Sequence, residues 1–172
     1  MYKPKALIDG IRSFFPTRDK WVSRPAKDLP GKVTVEFKTG QKGILDMKNP
    51  RAVVWAKLLD LQRKVNRPVY VEIDPDTSVI TQLLIPEPSR VMSITPQGEG
   101  DVYVAFFTSE ARHYLRRENP DFQNMLDTLR SAKDNETEVL MTATRPDHEI
   151  IDVKPLQKPL ALGSPPESEE TP

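Results

Sequence analysis

NPRAVVWAKLLDLQRKVNRPVYVEIDPD, residues 49–76, decides the fold, because a variant of it returns as NPDFQNMLDTLRSAKDNETEVLMTATRPD at residues 119–147. In both stretches an Asn-Pro pair opens an amphipathic helix, and two strand-like runs follow, joined at Pro75-Asp76 in the first and Pro146-Asp147 in the second. The Asn and the later Pro are 26 residues apart in the first (Asn49 to Pro75) and 27 in the second (Asn119 to Pro146). Self-similarity of this kind sets an architecture before any single residue is read.

The first helix predicts itself from its ends. Asn49 is a good N-cap, and Pro50 suits the first helical position, where its missing N–H costs nothing. Val54, Leu58, Leu61 and Val65 fall at i, i+4, i+7 and i+11 and predict the buried stripe. Asn66 and Pro68 stop the helix. Val69, Val71 and Ile73 then alternate, and Val79 to Ile85 forms the strand after the turn. In the second stretch Phe122, Met125, Leu126 and Leu129 predict the buried face, with Val139–Met141 and Ile150–Val153 as the closing strands.

Each helix is preceded by a hairpin. Val33, Val35 and Phe37 alternate with polar residues, Thr39–Gly43 turns, and Ile44–Met47 returns. Val91–Ile94 and Val102–Phe107 make the second hairpin, and Ser109–Arg117 is expected as an extra short helix before Asn119. The order strand, strand, helix, strand, strand resembles a minimal OB-like or similar small β-barrel, although the full order has three strands before its helix. Counting back from the turn prolines sets Val71 opposite Thr142, while the second apolar alternation falls on Val139, Met141 and Ala143. A one-residue offset between the copies is therefore expected, and a one-residue slip flips every side chain.

The fold class expected is α+β: two related β-β-α-β-β units packed together, at residues 32–88 and 89–158. Residues 1–31 form an N-terminal arm whose short helix, Ala6 to Phe15, carries Leu7, Ile11 and Phe14 on one face. Residues 159–172, rich in Pro, Ser and Glu, are expected to be disordered.

Composition bounds the function classes. Seventeen prolines in 172 residues imply short elements with stiff connections. With zero cysteines, a disulfide framework and a thiolate metal site are excluded. No apolar run approaches the roughly 20 residues that span a bilayer, and the first residues lack the pattern of a secretory leader, so no membrane insertion and a cytoplasmic location are expected. Residues 1–68 hold 16 Lys+Arg against 6 Asp+Glu, a balance of +10, and the remainder hold 9 against 19, a balance of −10. That division is a reason to look for an anionic partner for the basic half. The alternative, given slightly more weight, is that the two halves face each other or that the charges are simply solvated.

Catalytic motifs are not found, and no cofactor or metal is expected. His113 and His148 lack the near-sequence partners of a metal site. Asp74-Pro75-Asp76-Thr77-Ser78 resembles the start of a calcium loop but lacks its sixth-position glycine and twelfth-position glutamate, so it reads as turn chemistry. The candidate contacts for nucleic acid or another anionic partner are Arg18, Lys20, Trp21, Arg24, Lys38, Lys42, Arg63, Lys64 and Arg67. Trp21, Phe37 and Tyr70 are the candidate stacking platforms, although Phe37 is also in phase with the core. Leu7, Ile11 and Phe14 are the candidate protein contacts. The function expected is a non-enzymatic interaction or scaffold module, joining a larger assembly through its arm and basic first unit. An accessory single-stranded nucleic-acid binder is the second reading and an enzyme of unrecognised type the third.

Overall fold

The computed structural model describes residues 4–156, so the expected disordered tail at 159–172 lies outside the described residues. The described residues are sheet-rich, with two α-helices and three sheets, none of which closes into a barrel. It divides into two compact units between Glu87 and Pro88.

In the first unit the chain runs β1 (Lys5–Asp9), β2 (Ile11–Phe15), β3 (Lys32–Phe37), β4 (Lys42–Asp46), α1 (Pro50–Lys64), β5 (Val69–Ile73) and β6 (Ile80–Leu84). Two antiparallel sheets result, β1-β5-β6 and β2-β3-β4. The arm is therefore not a helix. It is a pair of strands split at Gly10, which is held by the Lys38 N–H donating to its carbonyl at 2.9 Å. The helix-like spacing of Leu7, Ile11 and Phe14 has another cause: Arg12 is an extra residue in the β2–β3 ladder. Ile11 and Phe14, three apart, consequently share the inward face. Both are buried, and Leu7 packs against the same core.

One glycine here is required by packing. A Cβ built on Gly43 would lie 2.6 Å from Cγ1 of Ile80, at the place where β4 approaches β6. Ile44 and Val79 form a parallel bridge at that approach, and the Ile44 N–H donates to the Ser78 carbonyl at 2.8 Å.

The face that α1 buries is not the expected one. Ala52, Ala56 and Leu59 enter the core, whereas Val54, Leu61 and Val65 are 63%, 54% and 53% exposed. The cap is as expected, with the Asn49 side chain accepting from the Arg51 N–H at 3.0 Å. Periodicity selected the larger apolar residues, but two alanines let the helix lie close to the sheets. Asp60, at the edge of the buried face, is bound by Arg18 from the β2–β3 connection at 3.0 Å.

In the second unit β7 (Glu87–Gln97), β8 (Asp101–Phe106), β9 (Ser109–Leu115), α2 (Phe122–Asp134), β10 (Glu138–Ala143) and β11 (Ile150–Pro155) form one sheet in the order β11-β10-β7-β8-β9, with the helix outside it. The expected extra helix at Ser109–Arg117 is the strand β9. His113 and Leu115 are buried while Arg112 and Arg116 are exposed, the period of a half-buried strand. With β1/β2 and β9 added, the expected two strands before each helix are an undercount. Met125, Leu126 and Leu129 are buried as expected, joined by Ala132, and Phe122 packs against them. Asn119 does not cap α2 directly. Its side chain accepts from the Asp121 N–H at 2.9 Å, and the helix starts at Phe122.

The register offset is also corrected. After α1 the Arg67 N–H donates to the Gln62 carbonyl, and after α2 the Thr137 N–H donates to the Ala132 carbonyl. In the next turns the Ser78 N–H donates to the Asp74 carbonyl and the His148 N–H to the Thr144 carbonyl. Every one of these residues lies 70 positions before its counterpart, and Ser78 and His148 share a positive φ (60° and 56°). By this measure Val71 matches Met141, both buried. The prolines mark different positions of the same turn, Pro75 corresponding to Arg145 and Pro146 to Asp76.

Candidate functional site

The expected contacts of the basic half do not converge. The Arg18 Nε donates to both Asp60 carboxylate oxygens at 3.0 and 3.1 Å, and the Lys64 ammonium lies 3.2 Å from the same carboxylate. Burial alone would raise that carboxyl; the hydrogen bonds from Arg18 and Lys64 outweigh it and hold Asp60 below the usual carboxylate range. These two cations therefore serve the α1 junction. Arg63 lies over the Phe14 ring at 5.9 Å, Lys38 donates to the Asn66 side chain, and Lys20 is 3.8 Å from Asp19. Lys42 and Arg67 are exposed.

The three candidate stacking platforms are corrected by burial. Trp21, Phe37 and Tyr70 are all in the interior, and the Trp21 indole N–H donates to the Pro16 carbonyl at 3.1 Å with its ring edge-on to Phe14 at 5.2 Å. Ile11 and Phe14 are likewise core, and half-buried Leu7 packs against it, so these residues do not form a free apolar face of the arm.

What the first unit does expose is the outer face of α1. Val54, Leu61 and Val65, with half-buried Leu58 between them, form a stripe opposite the buried Ala52, Ala56 and Leu59. Three side chains more than half exposed amount to roughly 300 Å² of apolar surface, a size at which the largest patch of a monomer is often functional. Exposed Arg51, Lys57 and Lys64 border it, and Asp60, the one acid in the helix, is buried and paired. Beside it lies a cleft of about 440 Å³ lined by Trp21, Met47 and Val53 and by the cations Arg24, Lys48 and Lys57. Val53 and Lys57, one turn apart, belong to both helix and cleft. Periodicity found this stripe but assigned it inward; the apolar residues on the other face of α1 were the signal that both sides needed covering.

In the second unit, the two histidines that nothing in the sequence joins are brought together. The rings of His113 and His148 meet edge-to-face at 5.3 Å, and His113 packs on Phe106 at 5.2 Å. The cause is the parallel bridge between Tyr114 and Glu149. Among the described residues no group of three His, Cys, Asp or Glu side chains could hold a metal ion. Asp74 bonds its own turn, accepting from the Asp76 and Thr77 N–H groups at 2.8 and 3.0 Å. Among the described residues no helix is long and apolar enough to cross a membrane.

The outward face of β7-β8-β9 was missed, because β9 was read as helix. Thr95, Tyr103 and Tyr114 are neighbours across the three strands, with Tyr103 38% exposed. Ser93, Ala105 and Arg112 lie beside them, around a shallow cavity of about 290 Å³. No family model, curated protein or solved structure matches the chain.

Proposed function

We propose that this protein is a non-enzymatic interaction module built from two diverged OB-like units, in which the first unit binds an acidic amphipathic segment of a partner protein along α1. The observation that carries the reading is the outer stripe of α1. At the positions 70 residues later, where Val54, Leu58, Leu61 and Val65 have their counterparts, α2 carries Asn124, Thr128, Ser131 and Asn135. The same place in a matching helix is polar in one unit and apolar in the other. A helix with an apolar stripe on its outer side as well as on its core side has a second face to cover.

Relatedness of the units is supported by strand order. Reading β1 and β2 as one strand bent at Gly10, the first unit runs β6-β5-β1/β2-β3-β4, against β11-β10-β7-β8-β9 in the second. Each has its helix between the third and fourth strands and a parallel bridge at the open edge, Ile44 with Val79 and Tyr114 with Glu149. That arrangement supports reading each unit as a partly open OB-like barrel.

Charge selects the occupant. A second copy would set Arg51 and Lys57 against their own equivalents, whereas a helix with an apolar stripe and glutamates beside it meets opposite charge. The test uses two synthetic helical peptides with the same apolar stripe, one flanked by glutamate and one by lysine. The acidic peptide binds the full chain, and Leu61→Ser weakens it at least tenfold; the basic peptide does not bind. If neither peptide binds, or if sedimentation shows a dimer that Leu61→Ser dissolves, the acidic-partner reading is wrong.

A further inference from the structure

The cleft beside α1 is formed by the connection between β2 and β3. The Met47 N–H donates to the Gly31 carbonyl at 2.9 Å, which ties that connection to the turn ahead of the helix. Ala26 and Leu29 line the cleft from the connection, and Pro50 and Val53 line it from α1. Trp21 and Met47, both buried, contribute the rest of its apolar lining. Its volume of about 440 Å³ is that of a ligand-sized cleft, the usual range being about 300–1,000 Å³.

Three cations border it, each from a different segment: Arg24 from the connection, Lys48 from the turn and Lys57 from α1. All three are exposed, and no carboxylate lines the cleft. Among the described residues none of the three is ion-paired. The second unit shows that the fold does not demand this set. Seventy positions later Lys48, Val53 and Lys57 have Glu118, Gln123 and Asp127 as counterparts, so both lysines are matched by acids and the valine by an amide.

The cleft is also continuous with the outer stripe of α1. At about 3.6 residues per turn, Val53 and Lys57 lie on the side of the helix next to Val54 and Leu61. The stripe runs about 16 Å from Val54 to Val65, and the cleft adjoins only its N-terminal end. A helical segment laid along α1 therefore has one end at the cleft.

We propose that this cleft takes the anchor of the acidic segment that α1 binds: an aromatic side chain at one end of the segment's apolar stripe, flanked by carboxylates. The proposal rests on the α1 reading and makes its partner specific. The ring enters among Trp21, Met47 and Val53, where an indole and a thioether suit an aromatic neighbour. The flanking carboxylates pair with Arg24, Lys48 and Lys57, which reject a basic segment. An apolar stripe supplies contact area, whereas one ring desolvated in a cleft supplies most of the affinity. Because the cleft lies at one end of α1, it also fixes the direction in which the segment binds.

Fluorescence anisotropy of the full chain tests this with two labelled helical peptides. Both carry the apolar stripe and flanking glutamates; one has phenylalanine at the anchor position and the other alanine. The alanine peptide is expected to bind about tenfold more weakly. Lys48→Glu should weaken the phenylalanine peptide by about tenfold. Replacing the glutamates beside the phenylalanine with lysine should then restore binding to Lys48→Glu while weakening binding to the native chain, a reversal that loss of structure could not produce. Leu61→Ser lies outside the cleft and should weaken both peptides in the same ratio. Equal binding of the two peptides, with Leu61→Ser still weakening both, would leave the α1 reading standing and overturn the cleft. Failure of both peptides to bind would overturn both readings. A dimer that Lys48→Glu dissolves would assign the cleft to a second copy. Binding of free decanoate that Lys48→Glu abolishes, with no preference for the phenylalanine peptide, would assign it to a small amphiphile.

Discussion

The orientation of α1 can be tested by substitutions on its two sides. Val54→Asn and Leu61→Ser give α1 the residues that α2 carries 70 positions later. With both side chains more than half exposed in the native chain, little burial is lost. Exposed sites usually change stability by less than about 0.5 kcal/mol, and the poorer helix propensity of Ser adds a few tenths. The double variant should therefore cost less than about 1 kcal/mol. Leu59 is fully buried, so Leu59→Ala loses transfer energy and leaves a cavity, at a cost of about 2–5 kcal/mol. Ala56, also fully buried, has no room to grow, and Ala56→Leu should cost about 1–3 kcal/mol through overpacking. Both tryptophans, Trp21 and Trp55, lie in the first unit, so urea unfolding followed by tryptophan fluorescence reports that unit selectively. A cost above about 2 kcal/mol for Leu61→Ser, together with a neutral Ala56→Leu, would show that the helix is turned the other way. The docking surface would vanish with it.

Other expectations follow from particular contacts. Gly43→Ala would push its methyl into Ile80, 2.6 Å from Cγ1, and should destabilise the first unit by about 1–3 kcal/mol, with Ile80→Ala in the same chain relieving part of the clash. Asp60 and Asp152 should give opposite pH dependences. The lowered Asp60 carboxyl contributes stability that is present above its unfolded value of 3.8 and is lost as pH falls through its lower folded value, so Asp60→Asn removes that acid sensitivity. Burial raises the Asp152 carboxyl, with Lys154 opposing and Asp121 adding to the shift. The folded state therefore binds the proton more tightly, and the second unit gains stability as pH falls from above Asp152's folded value toward 3.8. Asp152→Asn should stabilise that unit at pH 7 and abolish the gain, as thermal unfolding across pH 3–8 would show; the same slope in the variant would refute it. Arg18→Ala leaves Asp60 with Lys64 alone and should cost roughly 1–2 kcal/mol, since Arg18 is partly solvated.

Local signals and tertiary decisions separate cleanly along this chain. The Asn49 cap, the Pro50 start, the β3–β4 hairpin and the alternation of Val69, Val71 and Ile73 were all legible, since each rests on neighbours within a few residues. The buried face of α2 was legible too, because its polar residues leave one apolar side to choose. The candidate contacts were much less so. Arg18 and Lys64 read as free cations until the fold brought Asp60 between them, and the tyrosine face was hidden while β9 was taken for helix.

By itself, then, the sequence determined α1, the body and buried face of α2 and most of the strands, while two further expected helices, at 6–15 and 109–117, are strands. Three things were settled only by tertiary structure. Residues 5–15 are strands because β5 and β3 offer ladder partners, and the extra residue at Arg12 mimics a helical spacing. The corresponding turns align by hydrogen bonds and positive φ, which proline positions do not track. And α1, apolar on both sides, buries its alanines because close approach to the sheets favours small side chains, leaving its larger residues outside. Periodicity records that a side is apolar; which of two apolar sides faces inward depends on the shape of what it packs against.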